Sequence, residues 1–500
     1  MDLLDRIDHW GRTCPDRLAH VSRHGLLTYG ELRRRSDALA AHLHRTLPDD
    51  RSPVAVLGHK EPELLIAFLG AVKAGHPYAP IDTLVPPQRI ERTVATAGAA
   101  LTLTPDTVAL LSEGPGTAPQ RHPSPDDPYY IMFTSGSTGE PKGVVITRGG
   151  ITFFLDWLLA EQGFGEEERF LNVVPYSFDV SVMDTYAALL TGGTVFSVTR
   201  EEVANPKDLY PFLASAGLTT WVSTPSFAQM CLVERTFRAD LLPRLRRFLF
   251  CGETLPPQVA AQLLERFPAA AVWNTYGPTE TTVAVTSVRI DRDVLARWSP
   301  LPIGYPMPGT RIAVVDEAGR PVPDGERGQI VIAGPNVSPG YLRRPDLTDQ
   351  AFFRFDGQRA YRTGDWGRCR DGLLFFEGRM DNQIKLHGYR IELADVEANL
   401  RGLPGVRDAV VLPVLRQGVT DSLAAFVILG ERPAGPDSQL ANALRARLGE
   451  RLPAYMLPRK FVFLDVFPMN ANGKADRRRL AELLRNESPR SRPVVAESPA

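Results

Sequence analysis

The run TSGSTGEPKG, Thr134 to Gly143, gathers glycines, hydroxyl side chains and one lysine into a single short stretch. Glycines let successive backbone N–H groups converge on an anion, Ser and Thr add donors, and a lysine adds a compact positive charge. The apolar YYIMF (Tyr129 to Phe133) precedes it, so the end of a strand would present the loop. That chemistry is a grip on polyphosphate, supplied by Thr134, Ser135, Gly136, Ser137, Thr138, Gly139 and Lys142. The spacing is not that of the Walker loop, because Gly143 rather than Ser or Thr follows Lys142. A nucleoside triphosphate site of another kind is expected.

Further glycine-bearing motifs lie far along the chain. NTYGPTE (Asn274 to Glu280) closes an apolar strand. There an aromatic ring can stack on a purine, an Asn or a backbone group can read its edge, and a carboxylate can hold Mg2+. Asn274, Thr275, Tyr276, Gly277 and Thr279 are the candidate nucleotide contacts, and Glu280 the candidate metal ligand. YRTGDWG (Tyr361 to Gly367) offers Asp365, suited to two ribose hydroxyls. GRMDNQIKLHGYRIEL (Gly378 to Leu393) brings Arg379 and Lys385 to a domain junction. PMNANGKADRR (Pro468 to Arg478) presents Lys474 on a turn near the C-terminus.

Elements able to position these motifs are legible. Apolar strand-like runs alternate with helical patterns: VAVLG before ELLIAFLGAVKAG, FLNVV before VMDTYAALLTGG, then WVSTP, RFLFCGE and AVWNTYG. That is the rhythm of parallel sheets layered with helices. After Gly309 the short glycine-punctuated strands RIAVVD, GQIVIAG and LLFFEGR predict a small β-rich subdomain. After GRMD (Gly378 to Asp381) helix and strand alternate again in a compact α+β unit. Residues from Glu487 onward are rich in Ser, Pro and Arg, a composition of disorder.

A chain of 500 residues needs more than one core. Its net charge of -1 gives no reason to expect nucleic acid or an anionic membrane as partner. The most apolar early stretch is short and contains Lys73, so a buried helix is predicted and no membrane insertion. MDLLDRIDHW carries acidic residues where a signal peptide would be basic, and its apolar residues fall at helical spacing. No two of the 4 cysteines are close enough in sequence for a metal or redox pair, which fits a reducing cytoplasm.

In this combination and order the motifs resemble the adenylate-forming superfamily of acyl-CoA synthetases, luciferases and peptide-synthetase adenylation domains, over roughly residues 1–485. The resemblance implies an α/β fold. A large N-terminal domain (1–380) would hold two layered α/β subdomains and a small β-barrel subdomain. A mobile α+β C-terminal domain (381–486) and a disordered tail (487–500) would follow, with the hinge at Asp381. It implies two half-reactions. A substrate carboxylate attacks the α-phosphorus of ATP and releases pyrophosphate; a thiol then attacks the acyl-adenylate. Lys474, Glu280 and Thr134 become the catalytic set. Lys474 would neutralise the α-phosphate and carboxylate oxygens, and Glu280 would hold Mg2+. Thr134, Ser135, Thr138 and Lys142 would surround the β- and γ-phosphates, Tyr276 and Asn274 the adenine, Asp365 and Arg379 the ribose. The loop around His387 and Gly388 would line the thiol path.

FDVSVMD (Phe178 to Asp184) narrows the acid. Amino-acid-activating members of the superfamily carry an aspartate at the place of Asp179, where it pairs with the substrate ammonium. Val180, Met183, Ser223, Cys251, Thr275, Val283 and Ala284 match other positions of that pocket. Met183 at the floor leaves room for a very small side chain. The strings SFDVSVMD, WVSTPSFAQMCL, FLFCGE and IKLHGYRIEL are most similar to the branch that activates D-alanine for a separate carrier protein. In that branch a cysteine at the place of Cys251 lies beside the substrate Cα and disfavours the L-enantiomer. No phosphopantetheine-attachment motif follows Lys474, so the expected acceptor is a separate carrier protein or coenzyme A. The alternative is a stand-alone enzyme loading L-alanine, glycine or serine onto a carrier in natural-product assembly.

Overall fold

The computed structural model describes residues 2–119, 123–135, 141–381, 383–386, 388–416, 419–431, 435–469 and 475–486. The chain divides into two compact units, one holding the described residues up to Arg390 and the other those from Ile391 onward. The expected boundary after residue 380 precedes that division, because residues through Arg390 pack with the first unit.

Two sheets carry the first unit. The smaller has five strands in the order Leu101–Leu103, Val54–Gly58, Tyr78–Asp82, Pro128–Thr134, Lys142–Thr147. Its first four are parallel, and the last pair is an antiparallel hairpin. The larger has nine, with a parallel centre running Ala271–Tyr276, Arg247–Phe250, Thr220–Ser223, Arg169–Asn172, Thr194–Ser197. Helices cover both sheets. Glu63–Ala74 is buried on every side, as its uninterrupted apolar sequence predicts, and ends at Gly75 in the left-handed region. Val180–Thr191 is buried from Val180 through Leu190 and ends at Gly192. The N-terminal helix Leu3–Thr13 starts at Asp2, whose side chain accepts from the Leu4 N–H.

The β-rich subdomain is a five-stranded antiparallel sheet: Arg311–Val315, Gly328–Ala333, Phe352–Phe355, Gln358–Arg370 and Leu373–Arg379. Its long fourth strand pairs Asp365 with Arg379 in register across to the fifth. The second unit is built on a three-stranded sheet, Val406–Arg416, Val419–Leu429 and Lys460–Phe463, with helices Leu393–Arg401, Asp437–Gly449 and Arg477–Asn486. Val410, Leu412, Phe426, Phe467 and Leu480 form its core. Among the described residues no helix is long and apolar enough to cross a membrane.

Candidate functional site

The candidate residues come from strand ends and the turns that follow them, where parallel sheets leave main-chain groups free for ligands. Thr134 ends one strand of the hairpin and Lys142 opens the other; the two are cross-strand partners. They therefore stand as the two posts of the glycine-rich loop. Gly136, Ser137, Thr138 and Gly139 lie outside the described residues, as do His387, Lys474 and the tail 487–500. The Thr134 hydroxyl oxygen is buried with no hydrogen-bond partner. The Ser135 hydroxyl donates to the Arg390 carbonyl at 3.0 Å.

Glu280 is the electrostatic centre. It is wholly buried in a single helical turn, Thr279–Thr281, just after the strand Ala271–Tyr276. Arg390 Nη1 donates to its Oε2 at 2.9 Å, the Tyr341 hydroxyl to its Oε1 at 2.8 Å, and Lys142 Nζ lies 3.5 Å from Oε1. Lys142 also donates to the Tyr341 hydroxyl at 3.2 Å. Burial alone would raise the Glu280 carboxyl, but Arg390 and Lys142 outweigh it and hold the group far below the usual carboxylate range. Neither Arg390 nor Tyr341 was assigned a role from sequence. Arg390 lies inside the motif IKLHGYRIEL, whereas Tyr341 sits in a stretch with no local signal.

Asp365 and Arg379 meet as their register requires. Arg379 Nη1 donates to Asp365 Oδ1 at 2.6 Å and to the Thr363 carbonyl at 2.7 Å. The Tyr276 hydroxyl donates to Asp365 Oδ2 at 2.5 Å. Arg379 also bonds Asp381, with Nη2 2.6 Å from Oδ2. Asn274 is buried, and its amide nitrogen donates to the Pro302 carbonyl at 2.7 Å. Its amide oxygen is buried without a partner, an acceptor aimed at no protein donor. Gly277 has to be glycine: a Cβ there would lie 2.6 Å from the Ala284 Cα.

Asp179 occupies the first position before the helix Val180–Thr191 but makes no capping bond to it. Its Oδ2 is shut off from water and lacks any hydrogen-bond partner. Burial pushes its carboxyl up to about 6, with a hydrogen bond to Thr279 acting the other way. Val180, Met183, Cys251, Val283 and Ala284 are buried in one hydrophobic cluster. Cys251 Sγ lies 3.8 Å from the Val283 carbonyl, and burial pushes its thiol up. Thr275 donates to the Phe250 carbonyl at 2.8 Å. Ser223 accepts from the Trp221 indole and donates to the Thr224 carbonyl, both at 2.8 Å, so its hydroxyl is engaged.

Thr282 and Val283 hold φ of 60 and 67, consecutive left-handed residues neither of which is glycine. For a β-branched residue this conformation is strained by about 1–3 kcal/mol and persists only when the surroundings impose it. Asn336 imposes it. Its carbonyl accepts from the Thr282 hydroxyl at 2.7 Å and its amide donates to the Thr281 carbonyl at 2.9 Å. Its side-chain oxygen accepts from Thr310 at 2.9 Å. Gly388 is seated on the first unit by an N–H bond to Glu253 at 2.6 Å, and Glu253 also accepts from the Ser226 N–H at 3.1 Å.

The buried Glu280 with Arg390 and Lys142 beside it, the unpartnered Asn274 amide oxygen and the unpartnered Asp179 Oδ2 all belong to the first unit. The sequence profile of the AMP-binding enzyme family matches residues 7–342, and that of the AMP-binding enzyme C-terminal domain matches residues 395–474. The chain belongs to the AMP-binding enzyme family. Within it, D-alanine--D-alanyl carrier protein ligase of Bacillus anthracis (strain CDC 684 / NRRL 3495) is 45% identical over 497 residues, covering 96% of this chain and 99% of the relative. The Vibrio cholerae adenylation domain AlmE, solved in complex with glycyl-adenosine-5'-phosphate, shares the fold with a TM-score of 0.83 at 22% identity, over 97% of this chain and 98% of that one. NpsA-ThdA from Klebsiella oxytoca, an artificially fused adenylation–PCP di-domain, gives a TM-score of 0.80 at 26% identity, over 92% and 93% of the two chains.

Proposed function

We propose that this chain is an ATP-dependent ligase that adenylates D-alanine, releases pyrophosphate and passes the D-alanyl group to the phosphopantetheine thiol of a separate carrier protein, in the cytoplasm. One observation carries the substrate class: the buried, unpartnered Asp179 Oδ2 beside the apolar cluster of Val180, Met183 and Cys251. A buried carboxylate oxygen without a donor is costly, and a ligand ammonium relieves that cost. The cluster itself contributes no charge, while Glu280, Lys385 and Arg390 act on Asp179 from outside it, and a small neutral side chain is the proposed fit. The kinship with a D-alanine ligase supports the choice of acid.

The substrate carboxylate is itself the nucleophile, so adenylation needs no protein base. Catalysis is positioning and charge neutralisation. The Thr134 hydroxyl and Lys142 would hold the β- and γ-phosphates, the group that leaves. The orphaned Asn274 oxygen would accept from the adenine amino group, with Tyr276 beside it. Asp365, fixed by Arg379 and Tyr276, retains lone pairs for ribose hydroxyls. Lys474 would meet the α-phosphate and the attacking carboxylate. Glu280 fits Mg2+ as an ionised hard-oxygen ligand, since this metal takes one or two protein carboxylates and completes its shell with phosphates and water. A bound Mg2+ would neutralise charge on the triphosphate. In the second half-reaction the thiol attacks the acyl carbonyl, a C–S bond replaces the C–O bond to phosphate, and AMP leaves. Between the two steps a swing of the C-terminal region at Asp381 would withdraw Lys474 and would have to break the bonds of Arg390 to Glu280 and of Gly388 to Glu253.

Incubation with ATP, Mg2+, labelled D-alanine and either the holo or the apo form of a D-alanyl carrier protein tests this reading. Label is expected on the holo form as a hydroxylamine-sensitive thioester and not on the apo form. Adenylate formation with no label on holo carrier would overturn the transfer step.

A further inference from the structure

We infer that Lys60 is a positioning residue for the amino-acid site: it pins the segment between the strand Arg169–Asn172 and the helix Val180–Thr191, and so sets the direction of the Asp179 carboxylate. The inference rests on Asp179 being the partner of the substrate ammonium.

Lys60 follows the strand Val54–Gly58 of the five-stranded sheet, yet its side chain is wholly buried and ends against the nine-stranded one. Its Nζ donates to Asn172 Oδ1 at 2.5 Å and to the Val174 carbonyl at 2.6 Å, and lies 4.5 Å from the centre of the Tyr176 ring. All three contacts fall at or just after the end of a strand, in the stretch that runs on to Asp179. Asn172 continues the link. Its amide nitrogen donates to Asp184 Oδ1 at 2.8 Å, and Asp184 lies on the helix that begins just after Asp179. One ammonium thus reaches the start of the connecting segment directly and the helix beyond it through one amide. Between these anchors Asp179 neither caps its helix nor finds a donor for Oδ2. Thr279 holds the carboxylate directly by a hydrogen bond, and the rest of its direction is set by where the segment is held.

Packing alone does not call for a lysine here. An apolar side chain of similar length would fill the same volume without taking a charge out of water, and such replacements are often neutral or stabilising. What the ammonium adds is a pair of charge-assisted hydrogen bonds, stronger than neutral ones, on a carbonyl and an amide oxygen.

Lys60→Met alone would leave Asp184 buried without its cation, so the informative variant is Lys60→Met with Asp184→Asn, which removes both charges. Pyrophosphate exchange is measured on it after thermal melting shows a cooperative fold. The KM for the amino acid is expected to rise about tenfold or more, with the KM for ATP within about twofold of wild type. Lys60→Gln with Asp184→Asn restores a donor and is expected to recover a substantial part of the lost affinity. An unchanged amino-acid KM in the Met variant would overturn the inference. So would equal rises in both KM values, which would mark a general loosening. Wild-type exchange in the same assay separates the two failures. Preference for another small amino acid defeats the D-alanine reading and moves the comparison to that acid, whereas activation of no amino acid at all defeats the role of Asp179 and with it this inference.

Discussion

Under the proposed function substrate choice turns on Asp179, and its ionisation makes a signed prediction. Burial lifts its folded-state value to about 6, whereas an unfolded chain titrates near the ordinary aspartate value of about 3.9. The ionised form is thus disfavoured in the ligand-free fold. The penalty is absent below about pH 4, grows up to about pH 6 and is complete above it. Ammonium binding needs that ionised form, so the KM for the amino acid is expected to rise as pH falls through about 6, by about tenfold per unit, with the KM for ATP much flatter. Asp179→Asn removes both effects. Amino-acid activation should fall by about 10²–10³, as for loss of one partner of a buried charge pair, while Tm at neutral pH rises. A lower Tm together with an unchanged amino-acid KM would contradict the assignment. The FDVSVMD string holds two aspartates, Asp179 and Asp184, and only the family resemblance singles out Asp179. Arg390 and Tyr341, which lock Glu280, were not legible: they approach it from 110 and 61 positions away in sequence, and no local pattern marks such a meeting.

At the scale of elements, the strained turn Thr282–Val283 holds one wall of the amino-acid cluster, and Asn336 holds the turn. Asn336→Ala removes the buried amide that bonds Thr281 and Thr310, at a cost of about 1–3 kcal/mol. Urea unfolding is expected to show that loss. Amino-acid exchange kinetics should show a KM several-fold higher, because Val283 would drift from Cys251. A destabilised variant with wild-type KM would show that the turn is structural only. The parallel strands of the large sheet were legible as short apolar runs, and the buried helix Glu63–Ala74 as an unbroken one. Less legible were the strand Leu18–Ser22 and the edge strand Gly25–Thr28, whose mixed residues give no period, and the pairing of the first with Thr194–Ser197, which is set by the sheet and not by neighbours in sequence. The hairpin posts Thr134 and Lys142 lie between these cases. Their types suggest phosphate binding, but only strand register brings them face to face.

On the scale of the whole molecule, the proposed function divides the two half-reactions between the two compact units. Lys474 belongs to the sequence of the second unit, whereas Glu280, Asp179 and Asp365 belong to the first. Lys474→Ala is expected to lower adenylation by at least about 10²–10³, the usual cost of removing one charged group aimed at a transition state. Thiolation from a supplied D-alanyl-adenylate should stay within a few-fold of wild type. Equal loss of both steps in quenched-flow measurements would refute that division. Domain composition was legible because each unit carries its own alternation of apolar strand and helix.

The proposed function requires that the site around Asp179 activate a small amino acid, and D-alanine before its rivals. ATP–pyrophosphate exchange measured in parallel with D-alanine, L-alanine, glycine and L-serine tests it most directly. The highest kcat/KM is expected for D-alanine, with all four abolished together by Asp179→Asn. A clear preference for L-alanine or glycine would contradict the claim.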